Sequence, residues 1–165
     1  LGNRLFGYIA GILTFTPYED WQRCHVIHHA NSGDLDNRGD GDVWTLTVAE
    51  YLAASRAKRF AYRIFRNPFI LFSITPLILF LVVHRFPSQG AKKREHYSVL
   101  FTNAGIVALI LVMSLTVGFN NYLLMQLPMI LLAASAGTWL FYIQHQYEDA
   151  YWVRNGDWDL TRSGL

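Results

Sequence analysis

Residues 98–118 read SVLFTNAGIVALILVMSLTVG, an uncharged run rich in leucine, isoleucine and valine. As a helix these residues would extend about 31 Å, which matches a bilayer hydrocarbon core of roughly 30 Å. Residues 119–121 (FNN) are turn-type residues, and a second apolar run covers residues 122–143, with Pro128 expected to kink it near its start. The sequence therefore predicts a transmembrane helical hairpin over residues 98–143.

The distribution of charge around this hairpin is uneven. No Asp, Glu, Lys or Arg occurs in the 51 residues from Tyr97 through Tyr147, whereas 20 of the 26 charged residues lie within the first 96. This asymmetry predicts a membrane protein with a charged cap. A net charge of only +2 argues against a nucleic-acid binder. The single cysteine, Cys24, excludes an internal disulfide framework and a cysteine-based metal site.

Positive charge flanks a third apolar segment, Pro68 to Val83, on both sides. The flanking basic residues are Arg56, Lys58, Arg59, Arg63, Arg66, Arg85, Lys92, Lys93 and Arg94. The positive-inside rule places both flanks in the cytoplasm, so we expect residues 67–86 to form a re-entrant or in-plane helix. All 14 Lys and Arg residues then lie on the cytoplasmic face.

Two shorter segments complete the expected fold. Leu5 to Thr16 is too short to span a bilayer, and is either a buried interfacial helix or the remnant of a span. Residues 49–66 mix basic and apolar side chains, as in a basic amphipathic helix at the lipid surface, although an ordinary solvated helix face is the alternative. Residues 17–66 are expected to be a cytoplasmic segment. The predicted fold class is an all-α, multi-pass membrane protein with a transmembrane hairpin and cytoplasmic-face, re-entrant or interfacial helices.

Histidines mark the candidate site. His25, His28 and His29 lie three and four residues apart, so on a helix they share one face. Neutral imidazoles grouped in this way suit zinc, copper, iron or nickel, and a surface cluster without function is the alternative. His145 follows the second span, on the side that the topology assigns to the cluster, and joins the predicted metal ligands.

The remaining histidines and the acidic loop are less distinctive. His84 and His96 stand beside arginines, and we interpret them as surface residues at headgroup level. Residues 33–42 (GDLDNRGDGD) fail as an EF-hand because Arg38 occupies the fifth position. We expect loop carboxylates to accept N–H bonds from metal-bound imidazoles, with charges that only aid solubility as the alternative. The candidates for this supporting role are Asp34, Asp36, Glu148 and Asp149.

At this point the residues resemble a known family. Residues 21–36 (WQRCHVIHHANSGDLD) resemble the second histidine box of membrane fatty acid desaturases. Residues 41–51 (GDVWTLTVAEY) are typical of the bacterial acyl-lipid type, and residues 66–68 (RNP) and 141–158 are similar to the same group. The resemblance covers nearly the whole chain, so residues 1–165 are expected to be part of a single fatty acid desaturase domain.

The resemblance implies a non-haem diiron enzyme that uses O₂ to introduce a cis double bond into a fatty acyl chain. It assigns His25, His28 and His29 as catalytic iron ligands, and His145 matches the ligand region after the fourth span. It also implies a fatty acyl lipid substrate, surrounding membrane lipids and a separate electron donor such as ferredoxin, with no nucleic acid. The expected location is a bacterial inner membrane, with the two iron ions on the cytoplasmic side.

Two further histidine boxes of the family, expected before Leu1 and after Leu165, are absent. We therefore expect the chain to be a central fragment, with activity belonging to the full-length parent. One alternative is a sister enzyme of the histidine-rich diiron class that inserts oxygen into alkanes or carotenoids. The other is a non-enzymatic metal-binding membrane protein or transporter, which the lack of charge in the hairpin disfavours.

Overall fold

The computed structural model describes residues 2–39, 41–154 and 158–159. Within these ranges the chain is helical and has no β-strand, which confirms the all-α fold class. Two of its helices are long and apolar enough to cross a membrane. In chain order the helices are α1 (Gly2–Leu13), α2 (Tyr18–Asn31), α3 (Val48–Ala53), α4 (Arg56–Phe65), α5 (Thr75–Leu81), α6 (Lys93–Thr116) and α7 (Phe119–His145). A π-helical turn (Ile70–Ile74) precedes α5, and a 3₁₀ turn (Val83–Arg85) follows it.

The two long helices, α6 and α7, form the predicted hairpin, but its turn lies earlier than expected. Val117 and Gly118 make the connection, with Gly118 at a φ of 87°, a conformation that glycine adopts without strain. The Asn121 side-chain amide donates to the Val117 carbonyl at 2.9 Å, so this residue is accommodated in the first turn of α7. Pro128 lies inside α7, which continues to His145.

The hairpin buries little of its apolar surface within the chain. A small core forms where Phe15, Ile106 and Ile130 meet, with the side chains of α1 and α5 packed around it. Most other apolar side chains of α6 and α7 face outward, and Leu115 is 87% exposed. Exposed apolar surface of this extent fits helices whose outer faces are covered by lipid.

The connection between the cap and the hairpin is bent. The axes of α4 and of the segment Ile70–Arg85 differ by 65°, a geometry found in a broken span or a re-entrant loop. The predicted re-entrant segment over residues 67–86 therefore stays a prediction. The expected single basic helix over residues 49–66 is instead two helices, because the Ser55 hydroxyl accepts from the Lys58 N–H at 3.2 Å and starts α4 afresh.

Contacts along this segment locate it against the hairpin. Arg66 donates to the Tyr142 hydroxyl at 2.9 Å, one turn before the end of α7. Leu77 and Leu81 of α5 pack against the small core, deeper along the hairpin. Arg85 then donates to the Asn103 side chain of α6 at 2.7 Å, and the chain continues to the start of α6.

Candidate metal centre

The histidine-bearing helix α2 is fixed at its first turn by a buried carboxylate. Glu19 is 2% exposed, and its side chain accepts from Arg4 of α1 at 2.6 Å and from Arg94 of α6. Its backbone N–H donates to the Ser98 hydroxyl at 3.1 Å. Burial alone would raise the pKa of the Glu19 carboxyl, but the hydrogen bonds from Arg94 and Arg4 outweigh it and hold that pKa below its ordinary value. Three helices are thereby joined around one ionised group.

A second clamp joins α2 to the loop before α6. The Ser88 N–H donates to the Asp20 carboxylate at 3.1 Å. One turn further along α2, Arg23 donates to the Gln89 carbonyl at 2.8 Å. These contacts fix the position of α2 on the end of the hairpin where α6 begins and α7 ends.

The four histidines predicted as ligands lie together in two pairs. The Nε2 atoms of His28 and His145 are 2.9 Å apart, and those of His25 and His29 are 3.2 Å apart. His28 is 3% exposed, and His25 stacks on Trp21 with ring centroids 4.7 Å apart. The helical spacing brings the three α2 imidazoles to one face, and the docking of α7 adds the fourth.

The groups that face each Nδ1 atom favour one tautomer in both rings of the His28–His145 pair. Nδ1 of His145 lies 2.8 Å from the Phe141 carbonyl, which can only accept, so Nδ1 carries the proton. Nδ1 of His28 lies 2.9 Å from a carboxylate oxygen of Asp42, in a contact that is not aligned as a hydrogen bond. This anion repels a lone pair on Nδ1 and therefore favours the tautomer with the proton there. In the neutral rings, both Nε2 atoms therefore present lone pairs to each other. Such an arrangement needs a shared cation, either a proton or a metal ion.

The residues present fit an imidazole-bound metal ion. Two nitrogens bound to one ion at roughly 2.1 Å, with angles of about 90–110°, are about 3.0–3.4 Å apart. Both measured Nε2 separations are close to this range. In the part of the chain that the structure describes, no three His, Cys, Asp or Glu side chains converge closely enough to hold a single ion. The cluster therefore consists of two imidazole pairs.

The surroundings of His25 favour its neutral form. Burial lowers the pKa of His25, and the neighbouring rings of His29, His28 and His145 lower it further. Because a metal ion binds the unprotonated nitrogen, this environment keeps the His25 ring in the form that can act as a ligand.

The predicted supporting carboxylates lie elsewhere in the structure. Asp34 is buried, and it accepts from the Asn37 side chain at 2.7 Å and from the Asp36 N–H at 2.9 Å, contacts that organise its own loop. Asp36 accepts from Arg154. Glu148 and Asp149 are exposed. The structure brings none of these four carboxylates into contact with an imidazole in its described part, and their proposed role stays a prediction.

Among the carboxylates that the structure describes, Asp42 contacts the cluster, and it was not among those predicted from the sequence. The loop that carries it is tied to α3 by Arg38, which donates to Glu50 at 2.6 Å and to the Thr45 carbonyl at 2.9 Å. The hydrogen bond from Arg38, followed by that from the Thr47 N–H, lowers the pKa of Glu50 to about 2. The ion pair therefore persists at any ordinary pH and keeps the loop in place.

The two remaining histidines differ from each other. His96 is exposed, as predicted, and its Nδ1 lies 2.9 Å from the Lys92 carbonyl. His84 is half-buried and packs edge-on against Phe80, so the prediction that it is a surface residue is wrong. The reason is that Arg85, whose charge suggested a solvated loop, turns inward to Asn103.

A cleft of about 520 Å³ opens beside the cluster. His29, His145 and Asp42 lie in its wall. The aromatic side chains in its lining are Phe141, Tyr147, Tyr151 and Trp152. The segment after α7 is held against the loop after α2 by the Leu35 N–H, which donates to the Val153 carbonyl at 2.8 Å. The cleft thus combines imidazole nitrogens with an aromatic lining.

Fold and site together define a helical membrane protein with an imidazole-based candidate metal centre at one end of its hairpin. The chain belongs to the fatty acid desaturase family, which it matches over residues 1–163. This finding confirms the family indicated by residues 21–36 and 41–51.

Individual relatives agree with this assignment. A fatty acid desaturase of Bacillus subtilis (strain 168) is 45% identical over 163 residues, which cover 99% of this chain and 46% of that protein. A Delta(12) fatty acid dehydrogenase of Crepis alpina is 31% identical over 63% of this chain and 30% of its own length. An sn-1 acyl-lipid omega-3 desaturase (ferredoxin) of Nostoc sp. (strain 36) is 25% identical over 99% of this chain and 46% of its own length. The chain thus spans about half the length, or less, of these relatives, and no solved structure matches it significantly.

Proposed function

We propose that this chain, within its full-length protein, catalyses O₂-dependent desaturation of fatty acyl chains at a non-haem diiron centre. The observation that carries the proposal is the partly buried pair of His28 and His145, whose Nε2 atoms face each other at 2.9 Å. Membership of the fatty acid desaturase family supplies the reaction class. The two further histidine boxes expected from the resemblance would complete the ligand set.

The proposed reaction removes two hydrogens from neighbouring carbons of the acyl chain and leaves a cis double bond. O₂ is reduced to two waters by these two hydrogens, two electrons from an external donor and two protons. Bound iron would activate O₂, which is the oxidant, and imidazole is a ligand that suits this metal. His25, His28, His29 and His145 would hold it at the end of the hairpin.

The acyl substrate would enter from the lipid that covers the hairpin. The cleft beside His29 and His145 has the aromatic side chains needed to exclude water from a hydrocarbon chain. Phe141, whose ring lies 4.3 Å from that of His145, would pack against the part of the substrate nearest to the metal. The named acyl-lipid relative favours a membrane lipid as the substrate class.

The electron donor would dock on the basic surface. Nine of the 14 Lys and Arg residues lie between Tyr51 and Arg94, where the sequence contains no Asp or Glu. Such a surface attracts an acidic partner, and the relative whose name includes ferredoxin points to a small iron–sulfur protein.

The proposed topology places this basic surface and the metal centre on the cytoplasmic side of a bacterial inner membrane. It requires residues 67–86 to enter and leave the bilayer on the same side. The contacts of Arg66 with Tyr142, near the end of α7, and of Ser88 with Asp20, near the start of α6, support this arrangement. Cysteine-accessibility labelling of Ser88→Cys and Ser55→Cys in intact and opened cells would test it, after the native Cys24 is replaced by Ala. Labelling of either position in intact cells would contradict the topology.

Activity is tested in the full-length protein, expressed in a host without desaturases, by gas chromatography of total lipids. We expect new cis double bonds from the native sequence, and their loss in His28→Ala and in His145→Ala. His96→Ala is the matched control, because this exposed imidazole lies outside the cluster and should leave the product unchanged. Hydroxylated lipids in place of unsaturated ones would assign the oxygen-inserting alternative, and iron-loaded protein without either product would refute the proposal.

A further inference from the structure

Asp42 differs from Asp34 and Asp36 of the same loop because it reaches the imidazole cluster. Its Oδ1 atom lies 2.9 Å from Nδ1 of His28, whose side chain is 2% exposed, and the Asp42 side chain is 14% exposed. The His28 Nδ1 atom has no aligned hydrogen bond within the described residues, and the Asp42 carboxylate is the anion that lies against it. A buried N–H in contact with one anion is electrostatically tied to that anion.

The backbone before Asp42 explains how the carboxylate reaches α2. Gly41 has a φ of 86°, which disfavours any residue with a Cβ. A Cβ built on Gly41 would lie 3.2 Å from Cβ of His28, tighter than an ordinary contact. The absence of a side chain at this position therefore lets the loop pass directly over His28 and deliver the next residue to its ring.

The second oxygen of the Asp42 carboxylate is also held. The Gly39 N–H points to Oδ2 at 3.4 Å. The Arg38 bridge to Glu50 fixes the chain on one side of this turn, and the Arg38 bond to the Thr45 carbonyl fixes it on the other. Asp42 is thus presented by an anchored turn and does not depend on a flexible side chain alone.

We propose that Asp42 is a positioning residue that orients the His28 imidazole and keeps its proton on Nδ1, so that the Nε2 lone pair points to His145. The inference rests on the proposed function only in taking His28 as a metal ligand. A carboxylate behind a metal-bound histidine fixes the ring and strengthens the ligand, and its loss typically weakens metal affinity 10–100-fold. Asp42 would act through His28 without touching the metal or the substrate.

The test uses the full-length protein with Asp42→Ala and Asp42→Asn, and His96→Ala as the control. His96 is an exposed imidazole outside the cluster, so its substitution removes a histidine without reaching the His28 ring. Iron affinity is measured by competition with a chelator, and the His28 tautomer by ¹⁵N NMR of the metal-free protein. We expect iron affinity to fall about 10–100-fold in Asp42→Ala. We expect a smaller fall in Asp42→Asn, whose amide oxygen keeps a partial negative charge beside Nδ1, and native affinity in His96→Ala.

Two results would overturn the proposal: native iron affinity in Asp42→Ala, or an unchanged His28 tautomer in the same variant. If Asp42→Ala loses helicity, the same two measurements are compared between Asp42→Asn and the native protein, because asparagine keeps the volume of the side chain. The proposed function fails separately, if the native full-length protein binds no iron. In that case the tautomer of His28 in the metal-free protein still decides the role of Asp42.

Discussion

Replacing Glu19 by glutamine is the sharpest test of how α2 is held. The substitution keeps the shape of the side chain but removes the charge that Arg4 and Arg94 share. The new amide can accept from only one guanidinium and turns its NH₂ group toward the other. The first turn of α2 would then lose its attachment to either α1 or α6.

The structure sets the magnitude of the effect. Hydrogen bonds to charged groups contribute about 1.5–3 kcal/mol each. The two arginine side chains are 56% and 55% exposed, so water replaces part of what they lose and each contribution lies at the low end. With one of these bonds lost and the other weakened, we expect Glu19→Gln to lower the free energy of unfolding by about 1.5–3 kcal/mol, or roughly ten- to a hundred-fold in the folded-to-unfolded ratio.

The assay is unfolding of the detergent-solubilised protein, followed by circular dichroism, with Glu148→Gln as the control. Glu148 is exposed, and its substitution should change stability by less than about 0.5 kcal/mol. The pH dependence provides a second readout. Because the pKa of Glu19 is lowered by folding, its contribution is complete above the ordinary value of 4.5 and declines as the pH falls below it. Equal stability of the two variants, or the same acid sensitivity in Glu19→Gln and the native protein, would refute the reasoning.

Two further predictions concern packing and acid stability. Gly11→Ala should destabilise the protein by about 1–3 kcal/mol, because its Cβ would lie closer than 3.0 Å to the Thr16 carbonyl oxygen. Gly137→Ala should be neutral or stabilising by up to about 1 kcal/mol, since nothing lies within 4 Å, and thermal unfolding of the two variants compares them directly. The Glu50–Arg38 pair should stabilise the cap fully above pH 4.5 and lose its effect as the pH falls toward 2. Amide exchange in α3 should reveal this decline in the native protein but not in Glu50→Gln. Identical pH dependences of exchange in the two proteins would show that the Glu50–Arg38 pair does not cause the acid sensitivity.

The sequence was sufficient for the features that depend on composition and spacing. An uncharged run of 51 residues has few outcomes other than a pair of membrane helices, and the spacing of His25, His28 and His29 places them on one helical face. The location of the hairpin turn was harder to predict. Asparagines usually mark turns. Here the Asn121 side-chain amide donates a hydrogen bond to the Val117 carbonyl, and the residue remains in the helix.

Loop residues were less predictable, because their roles depend on backbone conformation. Several aspartates stand within ten residues of loop, and nothing in their order distinguishes Asp42 from Asp34 or Asp36. Gly41 determines that Asp42 reaches the ring, because its positive φ turns the chain over His28. His84 was assigned to the surface for a similar reason, since the inward turn of Arg85 is a tertiary event.

The pairing of His28 with His145 also constrains how the protein is made. The two residues are separated by 117 positions, and the second is the last residue of α7. During synthesis α2 is complete long before α7 has entered the membrane. Until then the imidazoles of α2 lack His145. The cluster therefore closes only after both arms of the hairpin are inserted, and any metal would be acquired late, by a chain that has already reached its membrane.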